Sequence, residues 1–105
     1  MHIQINSDHH IEVGEVFAGK IQALVAASLA RYSHQLTRVE VHLSDENSRK
    51  EGGNDKKCVL EARPAGLKPL AVSDKAATID AAIDGAIAKL DHLLDHTFGR
   101  LHSNK

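Results

Sequence analysis

A chain of 105 residues with 42% hydrophobic content can bury one core without metal or disulfide staples, and it reads as a single domain, 1–105. Aromatics make up only 3% and there is no tryptophan, which excludes a platform for stacking bases. Lys and Arg number 13 against 14 Asp and Glu, a formal net charge of -1, which excludes nucleic-acid binding by bulk charge over the whole surface.

Ile3 and Ile5 alternate with His2 and Gln4, the two-residue period of a short half-buried strand, and residues 7–10 read as a turn. From about residue 15 to 35 the apolar spacing becomes helical, with Ile21, Leu24, Val25, Ser28, Leu29 and Tyr32 on one stripe and Gly19 a mild weakness. Val39, Val41 and Leu43 alternate with Arg38, Glu40 and His42 as a second strand. Residues 45–55, with Gly52 and Gly53, form a polar loop without an apolar anchor, predicted to be mobile.

Cys58, Leu60 and Ala62 give a third strand, and Pro64-Ala65-Gly66 is a turn signal. Leu70 and Val72 belong to a fourth strand, which Pro69, lacking an N–H, assigns to a sheet edge. Ser73 and Asp74 are candidate N-caps for a second helix from about residue 75 to 102, with Ile79, Ile83, Ala86, Ile87, Leu90, Leu94 and Leu101 on one face. The order β-α-β-β-β-α, with one apolar face per element, predicts an α+β fold: a four-stranded mixed sheet with both helices packed on one face. The first β-α-β is a right-handed crossover, so strands one and two are parallel.

At about 100° per residue the second helix carries two charge stripes. Lys89, His92, His96 and Arg100 flank the apolar face on one side, and Asp80, Asp84, Asp91 and Asp95 on the other. Cations one to two turns apart can follow a phosphate backbone, whereas solvation alone also accounts for such a surface. Lys20, Arg31 and His34 make a thinner strip on the outer side of the first helix. Eight histidines let the chain gain positive charge as pH falls.

Catalytic and metal chemistry find little support. His92 and His96 have the i, i+4 spacing of a chelating pair, but Asp91 and Asp95 point elsewhere on the helix, and His9-His10 could join only through the tertiary fold. Cys58 is predicted to point into the core, and a buried thiol is inert. Gly52-Gly53 lacks the Gly-Lys-Ser/Thr of a phosphate loop, and no nucleophile elbow or paired cysteine motif occurs. One cysteine cannot make an internal bridge. No apolar run reaches bilayer length, and the N-terminus lacks the pattern of a signal peptide, so a cytoplasmic location with no membrane partner is expected.

Residues 81–90, Ala81-Ala82-Ile83-Asp84-Gly85-Ala86-Ile87-Ala88-Lys89-Leu90, resemble the second-helix signature of the ribosome hibernation promoting factor and ribosome-associated inhibitor family, also called the sigma-54 modulation protein family. Ile5-Asn6-Ser7 and Ile11-Glu12-Val13 are similar to that family's opening. The resemblance is to the short type and implies a domain similar in shape to double-stranded RNA-binding domains. It also implies a bacterial, cytoplasmic regulator of translation in stationary phase or stress.

The implied partner is the small ribosomal subunit and its ribosomal RNA, with message and tRNA sites blocked sterically. No cofactor, small-molecule substrate or catalysis is implied. Lys89 transfers by motif; His92, His96 and Arg100 follow from the helical wheel, and Lys20 and Arg31 complete the expected RNA-binding set. Where relatives are lysine-rich at the end of the second helix, this chain reads Asp95-His96-Thr97-Phe98-Gly99-Arg100. That depletion leaves a second reading, a relative of the same fold that binds a protein. A metal- or pH-responsive module built on the histidines is a third.

Overall fold

The structure is a computed structural model that describes residues 1–8, 11–46 and 55–103, with side chains described through residue 99. Predictions about His9-His10, most of the polar loop with Gly52 and Gly53, and the side chains of Arg100 and Leu101 therefore fall outside the described residues. The element order is β1 (His2–Ser7), α1 (Glu15–Ser28), a 3-10 turn (Ala30–Tyr32), β2 (Leu36–Asp45), β3 (Lys56–Pro64), β4 (Leu70–Ala76) and α2 (Ile79–Ser103). The sheet order is β1-β2-β3-β4; β1 and β2 are parallel and the other two pairings antiparallel, as the crossover argument requires.

Alternation along the strands divides the sheet into two faces. Val39, Val41 and Leu43 lie opposite Ala62, Leu60 and Cys58, and all six are buried. Ile21 and Val25 of α1 and Ala82, Ile83, Ala86, Ile87, Leu90 and Leu94 of α2 complete the same core. Burying a Leu or Ile side chain stabilises the fold by about 1.5–3 kcal/mol, so this layer supplies the main driving force.

The other face is polar. Glu40 is only 15% exposed and forms ion pairs with Arg38 and Arg63, each at 3.4 Å, with His42 3.6 Å away. Gln4 also accepts from Arg38, which ties β1 into this network. At the far end of the sheet Lys57 and Lys75 meet Glu46 at 3.3 and 2.6 Å on this face, while Lys56 meets Asp45 at 2.7 Å at the end of the core-facing row. The two lysines draw the Glu46 carboxyl below the usual carboxylate range.

Three sequence expectations need correction. The first helix ends at Ser28, because Leu29 leaves helical geometry (φ -108°, ψ 15°) and the chain tightens into the 3-10 turn. That turn swings Tyr32 toward α2, where its ring packs on Phe98 with centroids 5.6 Å apart and its hydroxyl donates to the Asp91 carbonyl at 3.4 Å. Ser73 and Asp74 are not helix caps: β4 continues to Ala76, pairing Asp74 with Cys58 and Lys75 with Lys57. The second helix consequently begins at Ile79 and not near residue 75, and the Thr78 hydroxyl receives the Ala81 N–H at 3.1 Å.

The turn signal at 64–66 is real. Gly66 adopts φ +77°, a left-handed conformation that glycine reaches without strain. Pro69 sits just before β4, which is an edge strand.

Candidate nucleic-acid interface

The contacts of α2 determine where its two charge stripes point. On one flank Asp91 accepts from Arg31 at 3.1 Å and Asp95 lies 3.7 Å from the same guanidinium, which belongs to the turn after α1. On the other flank the Lys89 ammonium donates to the Ser73 carbonyl at 2.9 Å and pairs with Asp74 at 3.0 Å, both on β4. The acidic stripe therefore turns toward α1 and the basic stripe toward the edge strand.

Three of the six predicted residues, Lys89, His92 and His96, share the β4-side flank. Lys89 is about half exposed, and His92 and His96 are exposed one and two turns further on. Arg100 continues the helix, with its side chain outside the described set. The other two lie elsewhere. Lys20 is exposed on α1, and Arg31 sits in the 3-10 turn, not on α1.

Arg31 is also engaged. Its guanidinium lies 4.7 Å from the centre of the Tyr32 ring, and the hydrogen bond it donates to Asp91 raises its already high proton affinity. The charge of Arg31 is thus offset by carboxylates, as is that of Lys89. Screened pairs of this kind contribute little to stability, but each carboxylate cancels part of the field a phosphate would meet.

A glycine makes the Lys89 contact possible. A Cβ at Gly85 would overlap the Asp74 carboxylate, so the helix can approach β4 with that carboxylate between them only because residue 85 lacks a side chain. Asp74 then reaches Lys89, one turn along α2. Spacing alone shows Lys89 at the rim of the stripe; it does not show the partner on β4.

Cys58 is buried, as predicted from the alternation. Burial, with a smaller contribution from the nearby Asp74 charge, pushes its thiol up to about 12, which makes it a poor nucleophile. Among the described residues no group of three or more His, Cys, Asp or Glu side chains could hold a metal ion, and no helix is long and apolar enough to cross a membrane.

The exposed cation Lys68, in the turn before β4, did not emerge from the sequence. Helical periodicity cannot reveal it, because it lies between β3 and β4, outside both helices.

The family model for sigma 54 modulation protein / S30EA ribosomal protein matches residues 3–102. The N-terminal domain of Protein Y from Thermus thermophilus superposes with a TM-score of 0.73 at 18% identity, over 92% of this chain and 99% of that one. A ribosomal subunit interface protein from Coxiella burnetii superposes with a TM-score of 0.69 at 13% identity, over 94% and 99%. At these identities the likeness speaks for the fold. No curated protein gives a significant sequence match.

Proposed function

Because the chain belongs to the sigma 54 modulation protein / S30EA ribosomal protein family, we propose that it is a ribosome-associated regulator of translation that acts by binding and not by catalysis. The match over residues 3–102 carries this reading. In its finer form the domain docks on the small ribosomal subunit and contacts its ribosomal RNA. It blocks message and tRNA sites during stress or stationary phase in a bacterial cytoplasm.

The contact surface is the flank of α2 that carries Lys89, His92, His96 and Arg100. Lys20, exposed on α1 with no ion pair among the described residues, is a second and thinner contact. Arg31 can contribute only by leaving Asp91 and Asp95. With about four phosphate contacts the log–log salt dependence of binding has a slope of roughly -3 to -4. Co-sedimentation with purified small subunits between 50 and 200 mM salt tests this, and binding that persists unchanged at high salt would overturn the electrostatic mechanism.

One observation favours a second reading. Lys89 and Arg31 both face carboxylates, and a protein surface tolerates such neutralised cations better than a polyanion does. A pull-down that recovers one stoichiometric protein and no ribosomal RNA would select this alternative, a protein-binding module of the same fold.

A further inference from the structure

We propose that the RNA-facing surface extends past α2 onto the turn leading into β4, with Lys68 as a phosphate contact, and that the groove between the two helices faces away. This rests on the ribosome-binding reading above.

The first support is the charge of the groove. Asp80, Asp84, Asp91 and Asp95 occupy the flank of α2 that Asp91 anchors toward Arg31. Arg31 already faces two of those carboxylates. A phosphate entering there meets a surplus of negative charge, which costs binding energy in a partly desolvated cleft.

The second support is the path of the chain. Helix α2 leaves the end of β4 and runs back over it, and Lys89 stands beside Ser73 and Asp74. Five to six strand residues upstream of that contact, about 18 Å at roughly 3.3 Å each, is Lys68. The same distance along α2, at about 1.5 Å per residue, is some 12 residues, which ends in the last turn of the helix. Lys68 and the last turn of α2 thus lie about equally far from the Lys89 contact, in the direction in which Lys89, His92 and His96 run.

Lys68 is also available. It is exposed and has no hydrogen bond or ion pair among the described residues, unlike Lys89. Pro69 holds it in place: a residue before proline is biased to extended backbone, and the proline ring fixes the next φ. Gly66 and the hydrogen bond from Leu67 N–H to the Pro64 carbonyl at 3.3 Å close the turn behind it. A lysine on a constrained turn loses less backbone freedom on binding than one on a loose loop.

The test is small-subunit co-sedimentation of the full chain across 50–200 mM salt for wild type, Lys68→Gln, Lys68→Arg and Lys75→Gln. Lys75 lies on the polar face of the sheet, paired with Glu46, and serves as the control. The expected result is that Lys68→Gln weakens binding and flattens the log–log slope by nearly one, so its loss of affinity over this range is about threefold smaller. Lys68→Arg retains the wild-type slope, and Lys75→Gln leaves it unchanged. If wild type binds but Lys68→Gln keeps its slope, or if Lys75→Gln flattens it equally, this surface is wrong and the ribosome reading stands. If wild type does not sediment with small subunits at all, the ribosome reading falls and this inference with it.

Discussion

Gly85 is the residue at which packing and charge meet. It leaves room for the Asp74 carboxylate between helix and strand, and Asp74 in turn holds Lys89. Gly85→Ala improves helix propensity by about 1 kcal/mol yet forces Asp74 out of its place. The displacement should dominate, with a net loss of about 1–3 kcal/mol measured by urea unfolding; a gain in stability would show that Asp74 relocates at no cost. Cys58, beside the same carboxylate, gives a pH test. Its thiol is raised from 9.0 to about 12, so the unfolded chain releases this proton first as pH rises. Stability is fully present below about pH 9 and is lost toward pH 12, at up to roughly 1.4 kcal/mol per pH unit. Cys58→Ala should flatten the stability profile between pH 9 and 11 relative to wild type, whatever its effect at neutral pH. An identical slope in both proteins would mean the thiol ionises freely in the native state.

At the scale of elements, alternation in β2 and β3 and the long apolar stripe of α2 were legible because each follows one period and one face. The boundaries between elements were less so. Ser73 and Asp74 carry cap chemistry, but the ladder to Lys57 and Cys58 extends β4 past them, and the cap falls to Thr78. Local propensity lost there to strand pairing, a long-range interaction that one sequence does not display. The end of α1 was hidden for a similar reason. No glycine or proline marks it, and the 3-10 turn is favoured by what Tyr32 reaches on α2. Three substitutions separate these effects. Thr78→Ala should cost about 1 kcal/mol, the usual value of a helix N-cap, whereas Ser73→Ala should cost nothing through capping. Tyr32→Ala should cost about 3–5 kcal/mol by removing the ring on Phe98 and leaving a cavity. Thermal and urea unfolding of the three variants distinguish them, and equal losses for Thr78→Ala and Ser73→Ala would contradict the observed start of α2. The two charge stripes of α2 were legible from the helical wheel, but their counter-charges were not, because Asp74 and Arg31 reach α2 from other elements.

For the whole molecule, a formal net charge of -1 means that any attraction to RNA comes from where charges sit and not from their sum. A matched pair of substitutions isolates that point. Asp74→Asn and Asp91→Asn each remove one carboxylate and change the net charge equally. The first releases Lys89 on the β4-side flank, and the second loosens Arg31 beside the groove between the helices. If RNA meets the β4 side, Asp74→Asn should tighten small-subunit binding and steepen the salt slope by nearly one unit, because a half-exposed lysine loses its counter-charge and becomes available to a phosphate. Asp91→Asn should leave the slope near wild type, since Asp95 still lies beside Arg31 and the remaining carboxylates still line the groove. Equal gains would show that overall charge governs association, and a larger gain for Asp91→Asn would put the groove itself against the RNA. Asp74→Asn also loosens the link between α2 and β4, so binding is compared at a temperature where both variants are fully folded. Under that condition the same ion pair opposes binding and supports the fold, and the two effects have separate readouts in the salt slope and the unfolding midpoint.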